Sequence, residues 1–166
     1  MIRYPVQHIE HSGRKSFEEV VAAFEAATGA IEDGAFAEEL AASADQADFE
    51  QRIHRHEGDS GFMRFLMLDH GAWLALYGDH VKCRLYILGN PLIARTMLKH
   101  DVRVGLNVPP RLIIYETAEG EVRIAYDLPS SLMSRLNNPE VAAAAEKLDA
   151  KLAALAAGAV GTEAAA

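Results

Sequence analysis

The chain has 166 residues, half of them hydrophobic (50 %), with 7 % aromatic and 24 % charged residues, one cysteine and a formal net charge of −8. That length is enough for one domain with a core that needs no staples, and the composition excludes intrinsic disorder, a disulfide scaffold, a four-cysteine zinc site and an iron–sulfur protein. The acid surplus (24 Asp and Glu against 16 Lys and Arg) repels phosphate backbones and anionic headgroups, so neither nucleic acid nor a membrane is expected as a partner.

The N-terminus, Met1-Ile2-Arg3-Tyr4-Pro5, has no apolar run before a small-residue cleavage site, and no stretch reaches the roughly 18 apolar residues of a membrane helix. With a lone Cys83, a cytoplasmic location is the expectation. Tyr4 to Ser12 alternates weakly as an opening strand. Ser16 with Glu19 is a capping box, and Phe17, Val20, Val21 and Phe24 form the apolar stripe of a first helix that Gly29 stops. A second helical stretch runs from about Ala35 to Ala42. Ser43 with Gln46 reads as the cap of a third helix carrying Phe49 and Ile53, and Gly58-Asp59-Ser60-Gly61 is a loop.

The middle of the chain is rich in strands. Phe62 to Asp69 is almost wholly apolar, as in a strand covered on both faces. Residues 72–77 fit a helical turn or a strand, and Val81 to Leu88 alternates. Asn90 caps a short helix with Pro91 at its first position. Arg111–Glu116 and Glu121–Tyr126 form a hairpin across Thr117-Ala118-Glu119-Gly120. Asn138 and Pro139 open the last helix, whose Val141, Ala145, Leu148, Leu152 and Leu155 make a heptad seam. That seam suits a helix packed on its own sheet, or a helix that dimerises.

Seven histidines are the natural place to look for chemistry. His54 and His56 lie about 200° apart around a helix and cannot share a ligand, so a solvated face is expected there. His8 and His11 point to opposite faces of a strand. His70 follows the apolar strand, and His100 shares a helix face with Ile93 and Met97. Each fits a hydrogen-bonded core histidine or a polar tip in an apolar pocket. Asp69 and His70 are strand neighbours facing opposite ways, which rules out a catalytic dyad. Ser60 lacks a nucleophile elbow, and Cys83 inside a strand reads as an inert hydrophobe. Gly89-Asn90-Pro91 is not a dinucleotide fingerprint. The amides that open its helix either hold an anion or are satisfied by Asn90 itself.

The runs Leu68-Asp69-His70-Gly71, Tyr86-Ile87-Leu88-Gly89-Asn90-Pro91, Pro110-Arg111-Leu112-Ile113-Ile114-Tyr115-Glu116 and Tyr126-Asp127 resemble the bacterial family named domain of unknown function 302. The match spans about Leu66 to Pro129, with Met97, His100 and Leu148 to Lys151 fitting a longer subgroup. Val108-Pro109-Pro110 stands where the family has Leu-Pro, and Ala35 to Glu57 looks like an insertion. The resemblance implies a compact α+β domain, often dimeric, and no established reaction.

Together these readings predict a two-layer α+β fold: a mostly antiparallel sheet of about four to six strands, helices packed on it and a long C-terminal helix. Residues 1–157 would form one domain and 158–166 a frayed tail. The leading functional expectation is a homodimeric module binding a small ligand near the Gly-Asn-Pro turn. Asn90, His70 and His100 would be its polar contacts, and Trp73, Ile93 and Met97 its apolar walls. One alternative is an enzyme with His70 as general base or metal ligand and Glu116 or Asp127 as acid partner. Another is an interaction protein dimerising through its C-terminal helix. Haem or iron held by His70 and His100 is the remaining cofactor candidate; no other metal site is expected.

Overall fold

The structure, a computed structural model, describes Met1 and residues 3–162. Its strands are β1 (His8–Ser12), β2 (Gly29–Ala30), β3 (Met63–Asp69), β4 (Cys83–Gly89), β5 (Arg111–Glu116) and β6 (Val122–Asp127). They form one sheet in the order β1-β6-β5-β4-β3-β2, antiparallel throughout except where β2 joins β3. Among the described residues seven helices accompany it: α1 (Phe17–Ala27), α2 (Ala35–Ala42), α3 (Gln46–His54), α4 (His70–Leu74), α5 (Pro91–Leu98), α6 (Pro129–Met133) and α7 (Pro139–Val160). This is the α+β architecture expected from the sequence, down to the long C-terminal helix.

Alternation in the central strands builds the main core. Tyr86, Leu88, Leu112, Ile114, Ile124 and Tyr126 are buried together with the apolar stripe of α1. The Ser16–Glu19 capping box starts that helix as expected. The seam of α7 packs into the same cluster: Val141, Ala145, Leu148, Leu152 and Leu155 are all buried there. The alternative of dimerisation through this seam is therefore overturned, because its apolar surface is already used against the chain's own sheet. The frayed tail is also corrected. α7 continues through Gly158 to Val160, both Ala159 and Val160 are buried, and Gly161 ends it at φ 82°. Residues 163–166 lie outside the described residues.

A second apolar cluster of Ile31, Ile53 and Met63 joins Phe36, Phe49, Phe65 and Leu92, fastening α2 and α3 to one end of β3 and the start of α5. Several local expectations differ. The opening strand begins only at His8. Asp45, not Ser43, caps α3 by accepting from the Asp48 amide, while the Ser43 hydroxyl donates back to the Glu39 carbonyl at the end of α2. Residues 70–77 are helical: α4, then a 3-10 turn over Ala75–Tyr77. β3 is not covered on both faces. The two-residue β2 pairs only with Met63 and Arg64, so from Phe65 onward β3 is an edge, and Leu66, Met67 and Leu68 are exposed.

Candidate functional site

The turn between β4 and α5 is built around one side chain. Asn90, 7 % exposed, accepts from the Leu92 amide through Oδ1 at 2.8 Å. Its Nδ2 donates to Glu57 Oε1 at 2.5 Å and to the Gly61 carbonyl at 3.0 Å. The turn thereby ties α5 to the loop that follows α3. Because Asn90 satisfies a helix-opening amide itself, the anion-cradle alternative loses a donor it would need. Pro91 follows at the first helical position, where its missing N–H costs nothing.

Beneath this turn lies a cavity of about 200 Å3. α5 contributes Ile93, Ala94, Met97 and Leu98, and α7 contributes Leu148. One wall is Phe36 of α2 with Phe65 of β3, their rings edge-to-face at 5.5 Å. The opposite wall is Val108, Pro109 and Pro110 against Gly89, whose absent Cβ would sit 3.3 Å from Pro109 Cβ. Asn90 is the one lining residue with a polar side chain, and its polar atoms are bonded within the protein. The cavity is thus chemically apolar.

Of the six residues singled out from the sequence, Asn90, Ile93 and Met97 share this cavity, and His70, Trp73 and His100 do not line it. Topology explains the separation. Gly89 pairs with Met63 at one end of the β3–β4 ladder, and Arg84 pairs with Asp69 at the other. The six intervening steps span roughly 20 Å. His70 follows Asp69, so it stands at the far end, where its Nδ1 accepts from Trp73 Nε1 at 3.1 Å. His100 is near the opposite end: its carbonyl lies 3.5 Å from Nδ2 of Asn138, the cap of α7, whereas the C-terminal end of α7 abuts Gly13 just past β1. One pocket or one iron shared by His70 and His100 is therefore not formed.

The acid partners proposed for His70 are engaged elsewhere. Asp127 Oδ1 meets His8 Nδ1 at 2.9 Å and, with the closer Asp127 bond leading, holds His8 above the usual imidazole range. Glu116 lies 3.5 Å from Lys82 Nζ. Asp69 caps α4 and bonds Arg84 at 3.1 Å, so it forms no dyad with His70. His56 is not on a solvated face: its ring bridges the Ala30 carbonyl and Glu39 at 3.0 and 2.8 Å. Burial pushes the Cys83 thiol up, in keeping with an inert strand residue. Among the described residues, no cluster of three or more His, Cys, Asp or Glu is placed to hold a metal. Sequence reasoning missed Phe36, Phe65, Leu148 and the Val108-Pro109-Pro110 wall. The doubled proline was the available signal, since it cannot continue a strand ladder and marks a rigid surface beside the turn.

The family model for domain of unknown function DUF302 matches residues 38–158, a span that includes most of α2 and all of α3, read from the sequence as an insertion. The crystal structure of an uncharacterised conserved DUF302 protein from Bacillus stearothermophilus is similar, with a TM-score of 0.64 at 18 % identity. That similarity covers 92 % of this chain and 97 % of the other. No curated protein matches the sequence.

Proposed function

The chain belongs to the DUF302 family, and we propose that it is a binding module that takes a small apolar molecule into the cavity beneath the Gly89-Asn90-Pro91 turn. The observation that carries this reading is the lining: apolar walls with a single amide whose bonds are already made. A ligand entering there gains buried apolar contact and meets no unpaired donor or acceptor. The volume, about 200 Å3, is below the usual range for drug-sized ligands and suits a molecule near the size of benzene or a short alkyl chain.

Titration with benzene and with n-hexane, read on the Met97 methyl resonance, tests it. Saturable shifts are expected in the wild type and none in Ala94→Phe, whose ring fills the space. A Met97 resonance indifferent to both hydrocarbons sinks the reading.

A further inference from the structure

Among the described residues, twelve large hydrophobic side chains are exposed, and seven of them fall between Leu66 and Val81. Leu66, Met67 and Leu68 are 38–42 % exposed on the free half of β3. Trp73, Leu76 and Tyr77 are 49–84 % exposed on α4 and the 3-10 turn after it. Together these six expose on the order of 700 Å2, close to what each partner gives to a standard-size interface. The strand also leaves backbone groups open. Among the described residues no strand pairs with β3 beyond Arg64 on that side, and Phe65 to Asp69 carries neither lysine nor proline to guard the edge.

The patch is held in place before any partner arrives. A Cβ on Gly71 would lie 2.3 Å from the Val81 carbonyl, so α4 is seated directly on the loop leading to β4. Asp69 caps the helix and is itself paired with Arg84. Trp73 spends its indole N–H on His70 and stands edge-on to Tyr77 at 6.2 Å. Tryptophan and tyrosine are among the side chains that dominate interface energies.

We propose that the β3 edge and α4 form a two-fold interface between two copies of this chain, joining their sheets through antiparallel β3–β3 pairing. The strand is self-complementary about Met67: in that register Leu66 faces the partner's Leu68 and Leu68 faces the partner's Leu66, the isologous arrangement a two-fold requires. Charge selects the same occupant. Two copies at −8 repel each other over most of their surface, yet residues 65–81 carry no lysine or arginine and only two aspartates, one already paired. A near-neutral apolar face is where like-charged copies can meet; a basic partner would be drawn to the acidic surface instead.

Light scattering coupled to size exclusion tests the proposal on the full chain. The wild type is expected at twice the 18.1 kDa chain mass, and L66K/L68K at 18.1 kDa with an unchanged circular dichroism spectrum. V102K/L106K, at exposed apolar positions elsewhere, is expected to stay dimeric. On a Cys83→Ser background, Met67→Cys should crosslink efficiently with a short bis-maleimide and Val102→Cys should not, which decides the matter if the double lysine variant fails to fold. A wild-type mass of one chain, a dimeric L66K/L68K, or equal crosslinking at positions 67 and 102 overturns it.

Discussion

Asp149 shows how a single ionisable side chain can sit against the grain of its environment. It projects from α7 toward the start of α6, where its Oδ1 accepts from the Ser130 amide at 3.0 Å. Burial raises its pKa despite that bond, and the nearby Glu146 adds to the rise. Burial likewise pushes the Tyr126 hydroxyl up to about 12, with the Asp149 charge as the second cause. A carboxyl with a raised folded-state pKa binds its proton more tightly folded than unfolded. Its favourable contribution is complete below the unfolded value near 3.8 and is lost as pH rises through the higher folded value. Asp149→Asn keeps the acceptor for Ser130 and removes the charge. The variant is expected to melt at a higher temperature than wild type at pH 7, with the gap closing as pH falls toward 4. Equal melting temperatures across that range would refute the assignment. Little of this is visible in the sequence, where Asp149 reads only as a charge breaking an alanine-rich stretch; Ser130 of α6 and Tyr126 of β6 are brought to it by the fold.

At the scale of elements, the local signals that worked were those closed within a few residues. The Ser16–Glu19 box, Asn90 before Pro91 and Asn138 before Pro139 all form as read, because a cap and the amide it satisfies are adjacent in the chain. Ser43 failed because two competent caps stood two residues apart, and its hydroxyl found the Glu39 carbonyl instead. β2 was missed because two residues carry no period; Gly29 is there because any Cβ would strike the His56 carbonyl at 1.7 Å. Asn90 does more than its cap signature reveals, since Nδ2 also holds Glu57 and Gly61. Asn90→Ala should cost about 2–3 kcal/mol in urea unfolding, roughly 1 for the cap and the rest for the lost bonds to Glu57 and the Gly61 carbonyl. Asn90→Asp is the sharper probe. Aspartate caps as well as asparagine, but it would place a carboxylate against Glu57 and the Gly61 carbonyl, so at neutral pH it should be no more stable than the alanine variant. A near-wild-type N90D would mean that capping alone holds the turn.

At the scale of the whole molecule, the sheet decides which residues can meet. His70 and Asn90 each follow a strand, and from the sequence both are expected as polar contacts of one pocket. Yet β3 and β4 are consecutive and antiparallel, so their C-terminal ends lie at opposite ends of the sheet. That consequence was available once both strands were read, whereas the β1–β6 pairing and the reach of α2 across to Phe65 depend on contacts far apart in sequence. The same architecture makes Leu148 a member of two structures at once, the main core and the cavity beneath the turn. Leu152, one turn further along α7 and fully buried, belongs to the core alone. Truncating either leucine to alanine should cost about 2–5 kcal/mol. Their responses to an apolar ligand should then diverge. In Leu148→Ala the lost volume adjoins the cavity, so benzene should bind that variant more tightly than wild type: at a hundredfold excess over its dissociation constant for Leu148→Ala it should restore about 2.7 kcal/mol, while at the same concentration Leu152→Ala should regain only the smaller amount that wild type does. Thermal unfolding of both variants with and without benzene measures this. An identical recovery in the two would mean that the ligand fills whatever void is made, and that the space beneath Asn90 is packing slack and not a site.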